Sequence, residues 1–215
     1  MLMLLCCCIL MCLAHQCGGQ KEQQTPTIWP DSFSIKFLTN ITTGSNDQTY
    51  SISNSLYYDW NLKSQAVVHG PGAFECAHFY NSTGGCTLLF TAKEMYRILA
   101  TPTEGQQSCC IDLGELGTVP PNWMISSNPL FLGTVTNPFD GVLVQEYAFP
   151  TSAGPMGMHS YMQIAKQPHT PASFTFPSDD GLQDYHFLVQ SQVIGTQNAS
   201  LFRVPAGCLG VLCKK

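Results

Sequence analysis

Charge is scarce in this 215-residue chain, where Asp, Glu, Lys and Arg together make up only 11% of residues. Nine Lys and Arg are spread thinly along it, and the net charge is −5. No basic stripe forms, so the electrostatic footprint of a nucleic-acid binder is missing and nucleic acid is excluded as a partner. Hydrophobic residues reach 44%. That excludes a disordered chain, which combines low hydrophobicity with high net charge.

Catalytic signatures are missing too. There is no G-x-S-x-G elbow, no H-E-x-x-H helix and no paired-carboxylate pattern. The six histidines, His15, His69, His78, His159, His169 and His186, stand outside any such motif. A nucleophile needs a base and an orienting group held beside it, and no spacing here supplies them. The chain reads as a non-enzyme. Internal repeats, low-complexity tracts and a linker after residue 28 are also lacking. The length suits one domain.

Only one long apolar run exists. Residues 1–14 read MLMLLCCCILMCLA, without a charge. Spanning a bilayer takes about 20 apolar residues, so this run fits the core of a secretory signal peptide instead. It lacks the basic residues that normally precede such a core, and an uncleaved anchor is the alternative. Cleavage after Ala14 or Gly19 would release a secreted, extracellular protein. We divide the chain into a signal peptide (1–19), a flexible polar leader (20–28) and a folded β domain (29–215).

Eleven cysteines are present. Cys6, Cys7, Cys8 and Cys12 lie in the signal, and Cys17 sits beside the cleavage sites. Cys76, Cys86, Cys109, Cys110, Cys208 and Cys213 remain, an even set as a closed disulfide framework requires. Cys76, His78 and Cys86 also have a zinc-like arrangement, but in an oxidising compartment such thiols form disulfides. Adjacent Cys109 and Cys110 project to opposite faces of a strand and so reach different partners. Sequons at Asn40, Asn81 and Asn198 are candidate glycosylation sites.

Alternation dominates the rest. Phe33, Ile35 and Phe37 share one parity, and so do Leu56, Tyr58, Trp60 and Leu62. Val142, Val144 and Ala148 oppose Gln145 and Tyr147. Tyr185, Phe187, Val189 and Val193 form a last row. A period of two is that of half-buried strands. Turn signatures separate the rows at residues 69–72, 82–85, 119–122, 137–141 and 178–181. About ten strands at this spacing predict a mainly β fold with few short helices. Its antiparallel sheets would form a half-barrel or stacked-sheet sandwich. Residues 92–100 are readable as helix or strand. Apolar inward rows must be covered. They either pack completely or leave a greasy cavity. Candidate wall residues are Tyr58, Trp60, Leu88, Phe90, Phe131, Val144, Phe174, Phe176, Phe187 and Val189. Asp179, Asp180 and Asp184 sit in one turn, where oxygen ligands suit calcium, although an Asp-Gly turn joining two strands explains them equally.

One resemblance covers most of residues 30–213. Its motifs are LYYDWNLKSQ at 56–65, CCIDL at 109–113, PPNWM at 120–124, LFLG at 130–133 and YHFLV at 185–189. Gly195, Ser200-Leu-Phe, Val204-Pro and Cys208 follow in order. This resembles the ependymins and ependymin-related proteins. The Cys109-Cys110 doublet is not general in that family, and a family cysteine between His159 and Thr175 is missing. The resemblance implies a curved sheet, like that of bacterial lipoprotein carriers, around a hydrophobic pocket. It also implies secreted glycoproteins, often dimeric, associated with calcium and matrix adhesion. It pairs Cys86 with Cys213 and Cys110 with Cys208, leaving Cys76 for Cys109. Two functions follow. The first is non-catalytic binding of a lipid-like ligand in the pocket. The second is calcium-associated cell-matrix adhesion through surface and glycans.

Overall fold

The computed structural model describes residues 25–43, 46–48, 53–149, 158, 160–178 and 181–214. Its centre is strand β1 (Ser32–Thr43), whose Phe33, Ile35 and Phe37 are all buried, as their shared parity requires. On one side β1 pairs with β3 (Ser53–Asp59), and the chain then meanders outward. The meander runs through β4 (Ser64–His69), β5 (Cys86–Phe90), β6 (Glu94–Leu99) and β7 (Cys109–Gly114). A short strand, β2 (Asn46–Gln48), adds to the far end of β1.

On its other side β1 pairs with β12 (Gly181–Ile194). From there the sheet continues through β11 (Gln167–Ser178), β10 (Ser160–Ile164), β9 (Leu143–Ala148) and β8 (Leu130–Thr136). Every pairing between these strands is antiparallel, and β7 and β8 are the two terminal strands, with an isolated parallel bridge from Leu212 of the tail to Ile111 of β7. The helices are short: α1 (Phe74–Tyr80) and α2 (Trp123–Ser126). Residues 92–100 resolve as β6, with Met95 and Tyr96 buried on opposite faces.

The sheet bends. In strand order β5 and β11 are five steps apart, about 24 Å on a flat sheet at ~4.8 Å per step. Yet Leu88 and Phe90 of β5 line one cavity with Phe174 and Phe176 of β11. The concave face holds the main core, which includes Trp29, Phe33, Ile35, Phe37, Tyr58 and Tyr161. Trp29 stacks on Phe174 at 5.9 Å and meets Phe33, Tyr58 and Trp123 edge-on at 5.2–5.5 Å between centroids. Behind β4–β7, the tail packs Phe202 and Cys208 against Ala66, Leu89, Tyr96 and Ile111.

Three parity expectations need correction. Trp60 and Leu62 follow the end of β3 and lie in a turn, with Lys63 Nζ 3.2 Å from the Trp60 ring centroid. In β12 the register slips, with Lys36 opposite Leu188 but Ser34 opposite Val193. The extra residues reverse the facing, as a bulge must. Val189 therefore joins a secondary cluster, and Val193 is exposed. In β9 both faces are buried: Tyr147 enters the main core and Val144 the secondary cluster. Thr27 and Ile28, at the end of the expected leader, are bonded to the sheet. Thr27 N–H donates to Gln163 Oε1 at 3.1 Å, and the Ile28 carbonyl lies 2.9 Å from His169 Nδ1.

Candidate functional site

A cavity of about 240 Å³ opens in the concave face. One wall is built from cross-strand partners. Leu88 lies opposite Val67, and Val67 opposite Leu56. Parity places them together, because Gln65, Val67 and His69 share the inner face of β4. The other wall brings Phe37 with its partner Phe187, and Phe174 with its partner Tyr185.

A strap completes the enclosure with Leu116, Val119 and Trp29. It is held by backbone bonds. Thr118 N–H donates to the Thr91 carbonyl at 2.7 Å, and Tyr58 OH donates to the Val119 carbonyl at 3.0 Å. Trp29 N–H donates to the Pro121 carbonyl at 3.0 Å. Gly117 is required there, since a Cβ would come within 2.5 Å of the Ala92 carbonyl oxygen.

Five of the ten expected wall residues line this cavity: Leu88, Phe90, Phe174, Phe176 and Phe187. The other five do not. Tyr58 is fully buried in the core, and Trp60 and Phe131 pack against that core from its margin. Val144 and Val189 lie in the secondary cluster. Sequence reasoning missed Trp29 and the strap residues, because irregular segments carry no period. It also missed the polar wall.

Polar groups gather at the His69 end. His69 and Glu75 are each only 4% exposed. His69 Nδ1 lies 3.5 Å from Glu75 Oε2, and neither atom finds a hydrogen-bond partner among the described residues. The other carboxylate oxygen, Glu75 Oε1, accepts from Thr39 Oγ1 at 3.1 Å and Gln183 Nε2 at 2.9 Å. Asn54 Nδ2 donates to Thr39 Oγ1 in turn. Burial pushes the His69 pKa below its ordinary value, against the pull of Glu75. Burial, and then Glu75, holds the Tyr185 hydroxyl well above its ordinary range. At neutral pH both rings are uncharged. Among the described residues no Ser, Thr or Cys side chain hydrogen-bonds to His69.

All six cysteines outside the first 19 residues are bridged, but not in the expected pairs. Cys76 joins Cys86, Cys109 joins Cys208 and Cys110 joins Cys213. The first pair is local, because Cys76 of α1 and the preceding Ala73 pack onto Cys86 and Leu99. The Cys109-Cys110 doublet does reach two partners, both on the tail.

Asn81 and Asn198 are exposed; Asn81 ends α1 at φ 49°, and Asn198 Oδ1 accepts from Ser200 N–H. Asn40 lies in β1, opposite Asp184. Asp179 and Asp180 fall outside the described residues, while Asp184 accepts from Thr175 Oγ1 at 2.7 Å. Among the described residues no group of three or more His, Cys, Asp or Glu could hold a metal ion. Nor is any described helix long and apolar enough to cross a membrane.

No protein-family model and no curated protein matches the chain. Three solved structures are similar in shape. The chain is 13% identical to an uncharacterized conserved protein from Thermus thermophilus, covering 82% of this chain and 87% of that one at a TM-score of 0.47. It is 7% identical to a LolA superfamily protein from Nitrosomonas europaea, covering 81% and 91% at 0.41. It is 9% identical to a DUF1329 family protein from Desulfovibrio piger, covering 81% and 90% at 0.27. With every TM-score below 0.5, these likenesses decide neither family nor ligand.

Proposed function

We propose that this is a secreted, ependymin-like binding protein that holds a small apolar or amphipathic molecule in the concave cavity without chemically altering it. One observation carries the reading: a cavity of about 240 Å³ bounded almost wholly by Leu, Val and aromatic side chains. An apolar cavity of about 150 Å³ takes benzene, and drug-sized ligands need about 300–1,000 Å³. This space therefore suits one short chain or a ring and a few carbons, not a two-chain lipid. Burial supplies the affinity, at about 0.8 kcal/mol per CH₂ removed from water. Secretion is supported by the apolar residues 1–14 and the three disulfides.

The test is titration with the small apolar fluorophore naphthalene, whose ten carbons match the space. The wild type is expected to bind it, and Val67→Trp, which fills the cavity from the middle of β4, to bind at least tenfold more weakly. Equal binding by both proteins would place the fluorophore elsewhere and overturn the reading.

A further inference from the structure

We infer that the cavity selects an uncharged, hydroxyl-bearing amphiphile, whose O–H donates to the ring of His69. This rests on the cavity being a binding site and names the ligand it takes. Gln65 and His69 are the polar side chains on the β4 wall, 7% and 4% exposed. The Gln65 side chain makes no hydrogen bond among the described residues, but its amide carries both donor and acceptor and so discriminates little.

His69 is different, because Glu75 biases its tautomer. The carboxylate is acceptor-only, and its Oε2 faces His69 Nδ1 at 3.5 Å, without a hydrogen bond between them. A lone pair on Nδ1 would face that oxygen and be repelled, so the tautomer with its proton on Nδ1 is favoured. Nε2, on the far side of the ring from Glu75, is left as an acceptor in a cavity that His69 lines.

An acceptor that a bound ligand seals from water without offering a donor is left unpaired, which is costly, so a ligand that donates is preferred to one that cannot. An alkyl alcohol donates. An ether of the same size presents lone pairs to a lone pair. A carboxylate does the same and adds a second negative charge near Glu75. An ammonium donates, but it brings an unpaired charge into an apolar space, because the imidazole stands between it and Glu75.

Competition against naphthalene on the intact disulfide-bonded protein at pH 7.5 tests this. The competitors are 1-octanol, heptyl methyl ether, octanoate and octylammonium; the alcohol and the ether have equal numbers of heavy atoms. Octanol is expected to compete on the order of tenfold better than the ether and both ions. In His69→Leu the ratio of the alcohol's competition to the ether's, each read against that variant's own fluorophore affinity, is expected to fall to about one. Should His69→Leu fail to fold, ¹⁵N histidine spectra of the wild type decide. Octanol must shift the unprotonated His69 nitrogen, and the ether must not. Alcohol and ether competing equally in the wild type overturns the hydroxyl preference and leaves the cavity as a binding site. Failure of the fluorophore itself to bind overturns both.

Discussion

His69 illustrates how a side chain can be decisive and still invisible in sequence. Nothing around HGPG at 69–72 distinguishes it from a turn histidine. Its meaning comes from Glu75, six positions on, which α1 folds back beside β4. Its titration is linked to stability. Burial lowers its pKa in the folded protein, whereas in the unfolded chain it stays near 6.5. As pH falls through 6.5, the unfolded chain takes up a proton that the folded one refuses. The contribution is complete above that pH and is lost progressively below it. His186 shifts in the same direction, also by burial, with Asp184 and Asp140 opposing. Urea unfolding at pH 7.5 and 5.5 should show the wild type losing stability on acidification. His69→Gln should lose less, with the His186 effect common to both. An identical pH response would mean that His69 titrates normally in the fold. The apolar wall residues were legible only where a period exists: Phe174, Phe176 and Phe187 alternate on regular strands, whereas Trp29, Leu116 and Val119 occupy segments that obey none.

Within elements, β7 carries the most consequence per residue. Its adjacent cysteines face opposite ways and clasp the tail from both sides, at Cα separations of 5.2 and 4.9 Å. Each bridge alone closes a loop of roughly 100 residues, 99 and 103 in sequence separation. In the entropic account such a loop is worth about 4.7 kcal/mol. They are not independent, however. With Cys109–Cys208 in place, Cys110–Cys213 closes only a small ring of one residue along β7 and five along the tail, worth about 2 kcal/mol by the same relation. Removing either pair by Cys→Ser should therefore cost about 2 kcal/mol, and removing both about 6–7 kcal/mol. Denaturant titration of the two single-bridge variants and the no-bridge variant measures this. Simple additivity would show that the bridges constrain separate parts of the unfolded chain. The opposite facing of Cys109 and Cys110 was readable from strand geometry. Their partners were not, because six cysteines allow fifteen pairings and only the fold brings α1 beside β5 and the tail beside β7.

At the scale of the whole molecule, the sheet is a bent strip with two unequal ends. The β7 end is covered: Ile111 N–H donates to the Val211 carbonyl at 2.6 Å, and Cys213 N–H donates to the Ile111 carbonyl at 3.0 Å. The β8 end has no such cover among the described residues, and Leu130 and Leu132 on it are exposed. Among the described residues its protection is a bulge between Phe131 and Gly133, where Gly133 takes φ 147° and interrupts a flat pairing edge. Between these ends β1 alone joins the β3–β7 meander to the β12–β8 meander within the sheet. Opening at an edge breaks one ladder, whereas freeing β1 breaks its ladders with β3, β12 and the short β2 and exposes Phe33, Ile35 and Phe37. Hydrogen exchange should thus protect β1 and its partners to the level of global unfolding, with β8 orders of magnitude faster. Saturating the cavity with octanol should slow β4 and β5 and leave β8 unchanged, since no β8 residue lines it. Protection of β8 equal to that of β1 in the free protein would mean that this edge is covered in solution. Loss of that protection on dilution would then identify the cover as the β8 strand of a second copy.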